Sequence, residues 1–257
     1  MKIVLIGTGN VAMHLGPALI KAGHEVIQLV GRTEKHSKFL ANKLSCDYTI
    51  NKKQISPKAD TYIVALRDEA IGLYSKHIPS EAKLVVHTSG SVNANVFSGI
   101  TQHYGVLYPI QTLSTKRKIN FETIPLCLEA NSEKAKKKLL TLAKSLSKEV
   151  HWTSHDQRQT IHLAAVFANN FSNHLFALAE DMLTKKGMSF DLIRPLIAET
   201  AAKVQKSSAH QMQTGPARRG DTETIEKHIE LLKNKPQLLQ IYKILTRSIQ
   251  ENDGPIL

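Results

Sequence analysis

Through the first half of the chain, apolar residues fall in short, often β-branched blocks separated by charged stretches. Blocks at 2–6, 25–30, 46–50, 61–66, 83–88, 105–108, 124–129 and 149–153 predict strands. Several are continuous apolar runs, as expected where helices cover both faces of a sheet. Between them, 11–21, 34–43, 68–77 and 133–147 read as helices, the last capped by Ser132. This alternation predicts a mostly parallel sheet wound with right-handed crossovers; the later strands, whose connections are short, are open to antiparallel pairing. From Ser154 the period changes. Segments 156–186, 190–212, 222–233 and 236–250 all read as helices, with no convincing strand. Phe167, Phe171, Leu175, Leu178 and Met182 recur at helical spacing and predict one buried stripe. Asp221 is placed to cap the third of these helices, and Pro236 suits the first turn of the fourth. The expected architecture is a doubly wound α/β domain over 1–153 followed by an all-helical domain over 154–257.

With 257 residues, 42% of them hydrophobic, the chain can build one large core or two modest ones. No apolar run approaches the roughly 20 residues that cross a bilayer. The opening Met1-Lys2-Ile3-Val4-Leu5-Ile6 faintly imitates a signal peptide but stops at Gly7, and reads as a first strand. Cys46 and Cys127 match no metal or redox spacing, which predicts a reducing, cytoplasmic setting and no metal. The formal charge of +12 raises the question of nucleic acid. However, Lys134, Lys136, Lys137 and Lys138 read as the solvated face of a helix, and 5% aromatic residues leave few platforms for stacking bases. A positive field suits an anionic small molecule equally well, so the expected partner is neither nucleic acid nor membrane.

Gly7-Thr8-Gly9-Asn10-Val11-Ala12 lies between a predicted strand and a predicted helix, the context that gives a G-x-G-x-x-A pattern its meaning. Gly7 permits the tight turn, Gly9 lets backbone approach a diphosphate, and Ala12 lets helix and strand pack closely. The helix start then attracts phosphate, which points to a dinucleotide. At the end of the second strand, Gly31-Arg32-Thr33 offers no carboxylate for a ribose hydroxyl; Glu34 belongs to the next helix. Arg32 supplies a planar fork for a 2′-phosphate and Thr33 a hydroxyl beside it, so the expected cofactor is NADP(H). Ala65-Leu66, ending the fourth strand, is expected near the nicotinamide, with Asp68 capping the next helix. His87, Ser89 and Gly90, ending the fifth, are expected at an anionic substrate group.

These groups, with Tyr108-Pro109-Ile110-Gln111-Thr112 and the loop Thr214-Gly215-Pro216-Ala217-Arg218-Arg219-Gly220-Asp221, resemble a family of Rossmann-like NADP oxidoreductases. Its members carry a C-terminal helical domain of unknown function and are often labelled F420-dependent-NADP-reductase-like. The likeness covers essentially the whole chain. More distantly, the layout is similar to pyrroline-5-carboxylate reductases, 3-hydroxyisobutyrate dehydrogenases and 6-phosphogluconate dehydrogenases. That resemblance implies an NADP-dependent oxidoreductase, with the helical domain 6-phosphogluconate-dehydrogenase-like and joining two copies into a homodimer. Ser89-Gly90 matches the first two positions of the dehydrogenases' Ser-Gly-Gly, and Ser91 replaces the last. Those relatives also place a lysine four residues before a helical asparagine. Here Ala165 and Val166 stand four before Asn169 and Asn170, so the catalytic lysine is missing. The chain thereby departs from hydroxyacid oxidation.

The residues left to do chemistry are His162, as a proton donor, and Asn169 and Asn170, to orient a substrate oxygen or nitrogen. Arg218 and Arg219 are expected to pair with a substrate carboxylate or a cofactor phosphate. The reading is an oxidoreductase transferring a hydride between NADP(H) and a small anionic carbonyl or imine compound. Two alternatives stand beside it: a pyrroline-5-carboxylate-reductase-like imine reductase, and an NADP-binding sensor or scaffold without turnover.

Overall fold

Alternating side chains of the first strand divide between two apolar layers, and that division sets the architecture. In the computed structural model, which describes residues 1–115 and 117–251, Ile3 and Leu5 of β1 (Lys2–Ile6) enter one buried cluster. They meet Leu15 and Leu19 of α1 (Asn10–Lys21), Leu40 and Leu44 of α2 (Glu34–Leu44), and Leu139 and Leu142 of α4 (Glu133–Leu146). Val4 and Ile6 point the other way, into a cluster with Ile71 of α3 (Asp68–Ser75) and Phe97. A period of two therefore feeds helices on both faces, as a doubly wound sheet requires.

The remaining strands are β2 (Glu25–Val30), β3 (Asp47–Thr49), β4 (Thr61–Val64), β5 (Val85–His87), β6 (Tyr104–Pro109), β7 (Leu126–Ala130) and β8 (Val150–Trp152). The sheet order is β3-β2-β1-β4-β5-β6-β7-β8. All neighbours run parallel except β6 and β7, which pair antiparallel. The Rossmann arrangement is thus extended at one edge by a reversed pair. Carboxyl ends of β1, β2, β4 and β5 are stitched together by backbone bonds: Gly7 N–H to the Val30 carbonyl at 2.8 Å, Ala65 N–H to Ile6 at 2.7 Å, and Thr88 N–H to Val64 at 3.2 Å.

From Ser154 the chain is helical: α5 (His155–Ala165), a π turn (Val166–Phe171), α6 (Ser172–Thr184), α7 (Arg194–Lys203), α8 (Pro216–Arg219), α9 (Thr222–Leu232) and α10 (Pro236–Glu251). Ser154 caps α5 reciprocally with Gln157, Ser132 caps α4 and Asp221 caps α9. Two compact units result, Met1–Leu175 and Phe176–Leu257, so the change of period at Ser154 and the change of unit fall at different places. Among the described residues, no helix is long and apolar enough to cross a membrane.

Three expectations need correction. Asp68 is the first residue of α3 rather than its cap, because extended Arg67 holds that position; the carboxylate accepts from Ser91 instead. The helix expected over 190–212 survives only as α7, and Ser207-Ser208 lies among turns, where hydroxyl side chains compete with helical bonding. Among the described residues, the stripe expected to be buried is left largely exposed. Phe167 and Phe171 are 62% and 49% exposed, and Met182 is 38% exposed. Helical spacing specifies an apolar face without specifying what lies against it.

Candidate active site

The turn after β1 is built as the motif requires. Gly7 adopts φ +124°, and a Cβ there would stand 2.1 Å from the Ala65 carbonyl oxygen, so only glycine fits between β1 and β4. A Cβ on Gly9 would meet nothing within 4 Å, leaving its backbone open to a ligand. Helix α1 starts at Asn10 with no side-chain cap and no acid in its first turn, and Thr8 and Val11 flank that start. An uncapped, acid-free helix start beside open backbone fits a diphosphate. Gly31 is wedged against Ser37 and Thr8, and Arg32 and Thr33 follow it, exposed, at the end of β2. The Thr33 hydroxyl lies 3.3 Å from His36 Nδ1. Ala65 is buried against Gly7, and Leu66 is half-buried beside it. Every residue expected to touch the cofactor therefore lies at the carboxyl ends of β1, β2 and β4, the side on which open α/β sheets bind ligands.

Beyond β5 the chain turns sharply. His87 is fully buried; burial foremost, and then the Arg158 guanidinium, push its pKa down to about 3. The neutral ring accepts the Ser89 N–H at Nδ1, 3.2 Å away. Ser89 Oγ accepts from Ser91 N–H at 3.1 Å and Val92 N–H at 3.0 Å, while the Ser91 hydroxyl donates to Asp68. His87 and Ser89 thus shape the turn from inside, and Gly90 is its point of closest approach to the helices. A Cβ on Gly90 would lie 2.8 Å from His162 Cγ and Nδ1 and 2.9 Å from Tyr108 Cζ.

Tyr108, on β6, and His162, on α5, meet edge to face over that glycine, with hydroxyl oxygen and Nδ1 3.0 Å apart. Burial, ahead of the neighbouring Cys127, raises the Tyr108 pKa further above its ordinary alkaline value. The phenol therefore stays protonated near neutrality and can donate to Nδ1. One turn earlier on α5, Arg158 has no solvent exposure. Its guanidinium donates to the Ser89 and Gly90 carbonyls at 3.2 and 3.0 Å, and to Glu129 Oε2 of β7 at 2.8 Å; His155 Nδ1 lies 3.1 Å away. This cation ties the β5 turn, β7 and α5 into one cluster. Sequence reasoning missed Arg158 and Glu129, and gave Tyr108 no role although its pentapeptide was singled out. The readable signal was helical spacing: Arg158 stands four residues before His162.

Asn169 and Asn170 lie on the π turn, both exposed. Such turns displace one residue of a helix and occur frequently at functional sites. Arg218 and Arg219 are exposed on α8 in the second compact unit, between Gly215 at φ +109° and Gly220, which ends the helix left-handed. Arg219 comes within 4.0 Å of Asp221.

Residues 2–90 match the family described as "NADP oxidoreductase coenzyme F420-dependent", and 124–249 match a domain of unknown function, DUF2520. A Bacteroides fragilis protein, BF3122, which carries the provisional name NADP oxidoreductase, is 41% identical over 98% of both chains, with a TM-score of 0.92. The protein TM1727 from Thermotoga maritima is 20% identical over 97% of each chain, with a TM-score of 0.74. A 1-pyrroline-5-carboxylate reductase from Streptococcus pyogenes shares the fold at 15% identity, covering 97% of this chain and 98% of its own, with a TM-score of 0.65. No curated protein matches the chain.

Proposed function

The chain belongs to the family of NADP oxidoreductases that join an F420-dependent-type NADP oxidoreductase domain to DUF2520, and on that premise we propose that it transfers a hydride between NADP(H) and a small anionic carbonyl or imine compound. The observation that carries this reading is the Tyr108–His162 pair packed over Gly90, beside the end of β5. The Gly7 turn would hold the diphosphate of NADP(H), and Arg32 and Thr33 its 2′-phosphate; the bound cofactor would supply or accept the hydride. The chain supplies the proton. With the Tyr108 hydroxyl donating to Nδ1, His162 carries a proton on Nε2; it delivers that proton to the substrate oxygen or nitrogen as the phenol proton passes to Nδ1, and water reprotonates Tyr108 afterwards. Arg158 and His87 act at one remove, fixing the turn on which His162 rests. Asn169 and Asn170 orient the substrate, while Ser89 and Gly90 are assigned to its anionic group. Because the lysine of the hydroxyacid dehydrogenases is absent, a cyclic imine acid is the preferred substrate class.

In this reading residues 1–153 hold the cofactor, and 154–257 complete the substrate site and join two copies in the cytoplasm. The exposed stripe of Phe167 and Phe171 supports a second copy as its cover. The test follows NADPH absorbance with a panel of cyclic imines and keto acids, together with a direct NADPH titration. Turnover of at least one compound, lost in His162→Gln, is expected. Tight NADPH binding without any turnover would replace the enzyme with a sensor.

A further inference from the structure

Resting on the oxidoreductase reading, we propose that the substrate carries a second anionic group, a carboxylate or phosphate remote from the reacting carbon, received by Arg117 and Lys118. After β6, Gln111, Thr112, Ser114, Arg117, Lys118 and Ile119 line a cavity of about 670 Å³. Its opposite wall is formed by Asn169 and Asn170 of the π turn and Asn173 of α6. All these residues lie within the first compact unit. Among the described residues, the lining holds two cations, carboxamides and hydroxyls, and no carboxylate. Such a lining offers charge and N–H donors to an oxoanion and nothing that repels it. The cavity falls within the roughly 300–1,000 Å³ of small-molecule sites, larger than an isolated oxoanion needs.

Its place in the fold connects it to the chemistry. Gln111, the first lining residue after β6, stands three residues after Tyr108, and His14 Nε2 of α1 lies 3.0 Å from the Ser114 carbonyl, which holds this side of the cavity beside the helix expected to hold the diphosphate. Asn169 follows His162 by seven residues, or about 10 Å along a helix at 1.5 Å per residue. Both asparagines of the π turn line the cavity. A substrate reduced at His162 thus extends several bonds toward Arg117 and Lys118, its asparagine contacts lying in between. That geometry selects a dicarboxylate or a phosphorylated acid over a simple monocarboxylate.

The test titrates malonate and inorganic phosphate into the full chain by calorimetry at constant ionic strength, with and without saturating NADPH. Binding of at least one probe in the NADPH complex is expected. Arg117→Ala/Lys118→Ala should weaken it at least tenfold while NADPH affinity stays within twofold, which also shows that the variant is folded. The conservative Arg117→Lys variant should recover part of the loss. Tighter malonate would assign the second group as a carboxylate, and tighter phosphate as a phosphate ester. Absence of binding, or binding untouched by the double substitution, would overturn the proposal. A parallel loss of NADPH affinity would also overturn it, because the cations would then serve the cofactor. If the unaltered chain bound the probes but not NADPH, the oxidoreductase reading would fail and the anion site would stand.

Discussion

Replacing Arg158 by leucine should strip the β5 turn of its anchor. The guanidinium is wholly buried and satisfies two backbone carbonyls and the Glu129 carboxylate at once. Truncating one partner of a buried ion pair costs about 3–5 kcal/mol, and a buried acceptor left without a donor costs about 1–3 kcal/mol. Glu129 keeps 21% exposure, so water recovers part of its loss, and about 3 kcal/mol overall is the expected destabilisation. The chain's one tryptophan, Trp152, pairs with Leu128 on β7, next to Glu129, and its fluorescence reports urea unfolding of this unit. At about 2 kcal/mol per molar of urea, the midpoint should fall by about 1.5 M. Arg158→Leu combined with Glu129→Leu should cost at least about 1.5 kcal/mol less than the two single losses together, since neither buried charge is then orphaned. A loss under about 1 kcal/mol for Arg158→Leu, or simple additivity in the double variant, would refute the account of this cluster.

Other outcomes follow from geometry already described. Gly7→Ala forces a Cβ against the Ala65 carbonyl at positive φ, and should cost about 1–3 kcal/mol in urea unfolding and lower NADPH affinity more than tenfold by titration. Gly90→Ala pushes His162 and Tyr108 apart; an ~0.7 Å retreat to ordinary contact should reduce turnover about tenfold to a hundredfold with NADPH affinity nearly intact. Arg32→Ala should lower the preference for NADPH over NADH by roughly tenfold or more, measured as the ratio of dissociation constants. His87 titrates near 3 in the fold against about 6.5 unfolded, so the unfolded chain takes up a proton that the fold refuses. Stability is complete above pH 6.5 and falls as pH drops toward 3, by about 2 kcal/mol between pH 7 and 5; His87→Gln should flatten that slope in urea titrations.

The sheet was legible because its signals are local. Alternation in Ile3-Val4-Leu5-Ile6 and the glycines after it fix a strand, a turn and a helix without help from distant residues. The reversal at β7 was open in the sequence, since a short connection permits either direction and pairing decides. Arg158 was illegible for a different reason. In His155-Asp156-Gln157-Arg158-Gln159 it stands among solvated residues, and only the carbonyls of Ser89 and Gly90, 69 and 68 positions away, make it a core residue. The stripe around Phe167 was correctly periodic but is largely exposed, because spacing marks an apolar face and says nothing of what packs on it. His162, expected as a proton donor from its imidazole, gains a partner that local sequence does not encode: Tyr108, 54 residues earlier.

Helix α5 and the π turn that follows it hold a fixed end and an adaptable end about three turns apart. Arg158 is clamped in the interior, His162 emerges at the surface, and the asparagines beyond stand clear of the core. Side chains past residue 165 can therefore be exchanged without disturbing the clamp or the Tyr108–His162 pair. Diversification of such a scaffold would leave its scars on the far half of that rod, sparing the near half.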